Sequence, residues 1–198
     1  MDRAFCFAQP TSRVTDSMIS LPIDTPSLRL RHIVLEDAAR MMELNGEPTT
    51  RRWLPSHVYQ DMNEATSRTS YLIAFYASPG DPRLGAYVLA VEHLASGTLL
   101  GHVGFSPYHD EVEVSYAIAE SARGRGYGSE ALLFACRWAA ASFDLPSILA
   151  ITETANAPSR RTLERARFVH DRDEVLQFQG REEAVSRYLW RPTREPPR

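Results

Sequence analysis

The chain has 198 residues, 43% hydrophobic and 24% charged, which suits one globular domain with a sizeable core. A formal net charge of −3 argues against a general nucleic-acid binder, which carries a basic excess. There is no run of about 18 apolar residues, so no membrane span is expected. The only cysteines are Cys6 and Cys136, so a disulfide framework is not expected and a reducing cytoplasm is the default.

Met1 to Ser20 has no continuous apolar segment, so it reads as a weakly ordered N-terminal extension and not a secretory signal. Phe5 and Phe7 within it are available to dock. Ser27 to Ile33 then alternates Leu28, Leu30 and His32 with Arg29 and Arg31, which predicts a first strand. A helix starts at Glu36 or Asp37 and stops at Asn45-Gly46. A polar segment holding Trp53-Leu54-Pro55 follows, then a second helix from about Asn63 to Ser78 and a turn at Gly80-Asp81-Pro82. Ala86 to Glu92 and Thr98 to Phe105 form a hairpin around Leu94-Ala95-Ser96-Gly97. The next strand alternates Val112, Val114, Tyr116 and Ile118 with Glu111, Glu113, Ser115 and Ala117.

Arg123-Gly124-Arg125-Gly126-Tyr127-Gly128 then joins that strand to a helix, marked by Leu132, Ala135, Cys136, Ala139 and Phe143 and ending near Asp144-Leu145-Pro146. A glycine cluster alone is often a flexible loop. Between a strand and a helix it becomes an anion cradle, because glycine lets backbone approach a ligand and a helix N-terminus presents free N–H groups. Ser147 to Thr152 is a short apolar strand, and Ser159 to Ala166 a short helix opened by Asn156 and Pro158. Phe168 to Phe178 and Ala184 to Trp190 close the domain around Gln179-Gly180. Arg191 to Arg198 is a proline-containing tail. The order of elements describes one mixed α/β domain over residues 21–190.

All 22 basic residues are arginine. Its cations are therefore permanent and fork-shaped, suited to phosphate, and a lysine nucleophile is excluded.

Five segments together resemble the GCN5-related N-acetyltransferase (GNAT) superfamily, and most closely its ribosomal-protein N-terminal acetyltransferase-like branch. They are Thr25 to Arg31, Gly97 to Phe105, Glu113 to Tyr116, Arg123 to Gly128, and Asn156 to Glu164. The similarity covers about Leu21 to Trp190. It implies a mixed, mostly antiparallel sheet of six to seven strands, splayed in the middle and flanked by about four helices.

The resemblance implies acetyl-CoA as co-substrate, no metal, and an amine acceptor: a peptide N-terminus or a small molecule. It also implies that the pyrophosphate sits on the N–H groups of Arg125, Gly126, Tyr127 and Gly128, with Gly124 shaping the turn and Arg123 and Arg125 adding contacts. The pantetheine arm is expected along Tyr116, Ala117 and Ile118 as a pseudo-strand, with the oxyanion donor a backbone N–H near Ala117 or Ile118. Glu113 matches the family's strand glutamate and is the candidate base, acting through a water or with a pKa raised by burial. Glu111 on the same face and His109 nearby compete with it, and a solvent-facing glutamate paired to an arginine is the plain alternative.

Asn156 and Ser159 match the family's CoA contact and proton relay to the departing thiolate; the ordinary reading is a helix cap and a first-turn serine. Ala117 stands where relatives often carry an aromatic. Arg167 replaces a glycine, so a left-handed arginine is expected before Phe168. Trp53 is either an acceptor wall or an exposed loop aromatic, and His102 reads as a structural residue.

A non-catalytic acyl-CoA sensor built on the same cradle is the alternative function. A dinucleotide oxidoreductase fits poorly, because Ser129 stands where its fingerprint needs a third glycine. The chain is expected to work as a monomer or homodimer.

Overall fold

In the computed structural model, residues 20–193 are described. The expectations for the N-terminal extension before residue 20, Cys6 included, and for the tail beyond residue 193 lie outside them. Eight strands form one sheet: β1 (Ile23–Asp24), β2 (Leu28–His32), β3 (Tyr87–His93), β4 (Leu99–Tyr108), β5 (Glu111–Ile118), β6 (Ile148–Glu153), β7 (Val169–Phe178) and β8 (Arg181–Trp190). Their order is β1-β2-β3-β4-β5-β6-β8-β7. Every neighbouring pair is antiparallel except β5–β6.

Five α-helices accompany the sheet: α1 (Ala38–Gly46), α2 (Pro48–Trp53), α3 (Met62–Ala77), α4 (Tyr127–Phe143) and α5 (Ala157–Arg165). The sheet and the helix count are each slightly larger than the sequence predicts. The additions are the two-residue β1 and the six-residue α2. Neither is long enough to complete two periods of its hydrophobic pattern. Pro48 at the first turn of α2 is the local signal that was available.

The faces of β5 separate the helices. His102, opposite Ala117 in the β4–β5 register, bonds to Asn45 of α1, so the odd-numbered face of β5 looks toward α1. A Cβ on Gly128 of α4 would come within 3.5 Å of Tyr116 and 3.7 Å of Ile118, so the even-numbered face looks toward α4. The main core fills both layers with Leu28, Leu30, Phe105, Val112, Leu132 and Ile148 among its members. A smaller cluster of Leu149, Ile151 and Val185 seats the β7–β8 hairpin.

Local chemistry explains the element ends. Asp61 caps α3 by accepting from the Glu64 amide (2.9 Å), and Asn156 caps α5 by accepting from the Ser159 amide (3.2 Å). Gln179 and Gly180 both adopt positive φ (53° and 85°), as a two-residue hairpin turn requires. Arg167 is left-handed (φ 69°) as expected. The Phe168 amide reaches back to Leu163 O and the Arg167 amide to Glu164 O, both at 3.0 Å, the double bond of a Schellman stop.

Candidate active site

β5 and β6 register at one pair, Glu113 with Leu149, and then diverge. The gap between them is a groove of about 740 Å³. Of the site residues and competing bases expected, all but Arg125, His109 and Glu111 line it: Glu113, Tyr116, Ala117, Ile118, Arg123, Gly124, Gly126, Tyr127, Gly128, Asn156 and Ser159. Arg125 is exposed and His109 lies elsewhere, at the exposed β4–β5 turn with its ring against Tyr108.

At one end of the groove the glycine turn feeds α4. Gly124 and Gly126 adopt φ 77° and 88°, and a Cβ on either would touch nothing, so conformation alone demands glycine there. Gly128 is glycine for space: its Cβ would meet Thr162 at 3.2 Å. The first amide bonded back into the helix is that of Glu130, to Gly126 O (3.1 Å). The amides of residues 125–129 make no backbone hydrogen bond outside the helix ladder, which leaves a row of donors at the positive end of a 17-residue helix. Glu130 anchors this turn to the first strands by accepting from the Ser27 amide (2.7 Å) and from Thr25.

Arg123 is committed within the protein. Its Nε donates to Ile118 O (2.8 Å), and its other nitrogens lie 3.7 Å from Glu47 and 3.8 Å from Glu120. It clamps the turn to the end of β5, where the sequence suggested a direct phosphate contact.

Along the groove β5 offers a pairing edge that is free up to the Ile118 carbonyl, which Arg123 holds. The amide of Ala119 bonds to Leu100 O across β4. Antiparallel alternation therefore points the backbone of Ala117 and Ser115 at β4, and that of Tyr116 and Ile118 into the groove. Of the two oxyanion donors expected, only the Ile118 amide faces the gap.

The side chains divide by face. On the α4 side, the Tyr116 hydroxyl donates to Ser159 Oγ (3.2 Å), and burial pushes the phenol upward. On the α1 side, burial pushes Glu113 up to about 7, with Arg187 pulling the other way. Glu111 accepts from Arg187 Nη2 (2.7 Å) and is spoken for. The plain alternative of a solvent-facing, arginine-paired glutamate thus describes Glu111 better than Glu113.

The far wall comes from the segment after α1 and from the closing hairpin, where sequence reading singled out Trp53 and named no other side chain for the wall. Trp53, Leu54, Ser56 and His57 line it from α2 and the turn after it, with Phe178 and Gln179 from the hairpin tip. Gln179 Nε2 donates to Trp53 O (2.9 Å) and closes that rim. Burial and the nearby Arg68 hold His57 below the usual histidine range. Trp53 is half-buried on this wall of the groove, with the Arg52 guanidinium 4.5 Å above its ring. Among the described residues no group of three or more His, Cys, Asp or Glu is arranged to hold a metal ion.

Residues 27–169 match the family model described as acetyltransferase (GNAT) domain. The chain belongs to that acetyltransferase family. Family members use acetyl-CoA as donor, and the mixed, mostly antiparallel sheet with its helices is the α/β fold of that family. An acetyltransferase of the GNAT family from Bacillus anthracis superimposes with TM-score 0.71 at 16% identity, over 86% of this chain and 98% of the other. The ribosomal-protein-S5-alanine acetyltransferase from Vibrio fischeri does so with TM-score 0.70 at 18% identity, over 90% and 100%. A spermidine N-acetyltransferase chimera from Vibrio cholerae and human sequences gives 0.67 at 21%, over 83% and 95%. Comparison with curated proteins gives no match. At these identities the solved relatives carry the fold, and the acceptor stands apart from it.

Proposed function

We propose that this acetyltransferase moves the acetyl group of acetyl-CoA onto a primary amine, a peptide N-terminus or a small molecule, by direct attack in a ternary complex. The observation that carries the reading is that one groove holds the free amides of α4, the unpaired edge of β5, and a carboxyl poised near neutrality.

The pyrophosphate of CoA takes the amides of residues 125–128, with the helix dipole favouring its charge. The pantetheine arm pairs with Tyr116 and Ile118 along β5. The amine nitrogen attacks the thioester carbon while its proton passes to the Glu113 carboxylate, directly or through one water. A base that titrates near 7 matches this task at neutral pH. The developing oxyanion lies within reach of the Ile118 amide. The carbon–sulfur bond then breaks, and the CoA thiolate takes the Ser159 hydroxyl proton as the Tyr116 phenol passes its own proton to Ser159 Oγ, the phenolate regaining a proton from solvent before the next turnover. Tyr116 donates to Ser159 Oγ, which leaves the serine hydrogen free to turn into the groove. Asn156 orients this group, since its side-chain oxygen caps the Ser159 amide.

The test is release of free CoA thiol from acetyl-CoA over a panel of peptides and small amines. Wild type is expected to release thiol with at least one amine, and Glu113→Gln to lose roughly 10²-fold or more in kcat/KM at unchanged acetyl-CoA affinity. Full activity in Glu113→Gln would remove the glutamate from the mechanism. Binding of CoA with no transfer to any amine would favour a sensor.

A further inference from the structure

A second cavity of about 410 Å³ lies on the α1 side of the sheet. It meets the groove at Ser56, His57 and Ser115, which line both. Its floor includes Val88 and Gly104, and Met41, Tyr59 and Leu72 stand around it. Gly104 keeps the floor low, since a Cβ there would press on Val88 at 3.2 Å and on Ser115 Oγ at 3.4 Å.

No carboxylate lines this chamber, and its one permanent cation is already engaged. Arg68 pairs with Glu64 (2.8 Å), donates to Ser56 O (3.0 Å) and lies 5.4 Å over the Tyr59 ring. Two imidazoles, His57 and His102, stack with centroids 5.6 Å apart. Burial holds both low, His102 down to about 3, so both are uncharged at neutral pH. Asn45 Oδ1 accepts from His102 Nε2 (2.9 Å), and Nδ1 is buried without a partner. Apart from the neutralised Arg68, the chamber is therefore without charge, largely apolar and faced with flat rings.

Its distance from the chemistry is set by the strand. Ser115 is two residues beyond Glu113 on the same face, about 7 Å along β5. That is close to the span from the nitrogen to the far edge of the ring in an extended 2-arylethylamine. An acceptor whose amine sits at Glu113 would place its next group over Ser115 and Gly104.

We propose that this chamber is the acceptor's side-chain subsite, and that it selects a primary amine carrying an uncharged aromatic group over a polyamine or a lysine-like cation. The proposal rests on the acetyl-transfer reading for its placement of the amine. A polycation entering here would lose hydration and find no carboxylate to replace it. An aromatic ring loses only its apolar hydration and gains stacking partners in Tyr59 and His57.

Two arms test it. In thiol release, 2-phenylethylamine is expected to exceed spermidine at least tenfold in kcat/KM. Ala86→Leu, which narrows the chamber, is expected to lower the ratio of 2-phenylethylamine to ethylamine at least tenfold. Retained acetyl-CoA affinity in that variant confirms its fold. Equal use of spermidine and 2-phenylethylamine, or a ratio untouched by Ala86→Leu, overturns the subsite while leaving acetyl transfer intact. If no amine releases thiol, the acetyl-transfer reading fails, and calorimetry of the enzyme–CoA complex still decides the chamber. There 2-phenylethylamine is expected to bind at least tenfold tighter than spermidine, and equal or weaker binding overturns the proposal.

Discussion

At the scale of single residues, Glu111 and Glu113 share a face of β5 and differ in what lies beside them. Arg187 takes Glu111 directly and acts on Glu113 only through space. A carboxyl raised from 4.5 to about 7 is half ionised near neutral pH, so kcat/KM should rise with pH through about 7 and level off above it. The Glu113→Gln variant should lose that limb of the profile. Because the folded state holds this proton more tightly than the unfolded chain, Glu113 takes stability away as pH rises from about 4.5 to 7. Glu113→Gln should therefore melt higher than wild type at pH 8, by about 1–3 kcal/mol, and lose that advantage below pH 4. Thermal denaturation at the two pH values checks the sign. Arg187→Gln removes the charge that pulls Glu113 down, so the activity limb should shift to higher pH; a shift to lower pH would remove Arg187 from the control of this base. The strand glutamate was legible in the sequence because it fits the family's spacing. Its freedom was not, since the arginine that separates the two glutamates comes from β8, 76 residues away.

Elements show a similar split between local and distant information. The turn from β5 to α4 was legible because glycine, strand alternation and helix period all fall within one short stretch. The left-handed residue at the end of α5 was legible too, through the resemblance, in which Arg167 stands where relatives carry a glycine before Phe168. Arg167→Gly should raise stability by up to about 1 kcal/mol, seen as a higher Tm with acetyl-CoA affinity unchanged. Gly126→Ala should do the reverse. It forces a Cβ into φ 88° at the mouth of α4, costing about 1 kcal/mol and weakening acetyl-CoA binding in a titration. Equal affinity in that variant would detach the turn from the pyrophosphate. By contrast, α2 was read as an irregular polar segment. Its six residues carry no period, and its position depends on a hydrogen bond from Gln179, 126 residues along the chain. The far wall of the groove is made of such long-range meetings, which explains why its glycine-turn end could be read from one short stretch of sequence and its far wall could not.

For the molecule as a whole, the absence of lysine has a practical consequence. No side chain in the protein is a primary amine, so none competes with the acceptor for the acetyl group. Acetyl label found on any side-chain amine in a reaction mixture comes from the added substrate. The fold is otherwise the expected α/β domain: of the two small additions, β1 lies at the sheet edge and α2 adds to the groove wall, and neither alters the strand register around the groove.

The single rung between Glu113 and Leu149 makes the sheet two sheets, one of five strands and one of three, joined at a hinge line. A donor molecule lying along β5 would act as a removable ninth strand that bridges the halves. Loading acetyl-CoA would then set the spacing of the two walls between which the amine must fit, Glu113 on β5 and the hairpin tip on the other half. Donor is then expected to bind first and acceptor second. The amides of Tyr116 and Ile118 should become slower to exchange hydrogen when acetyl-CoA is present, and an amine alone should leave them as they were.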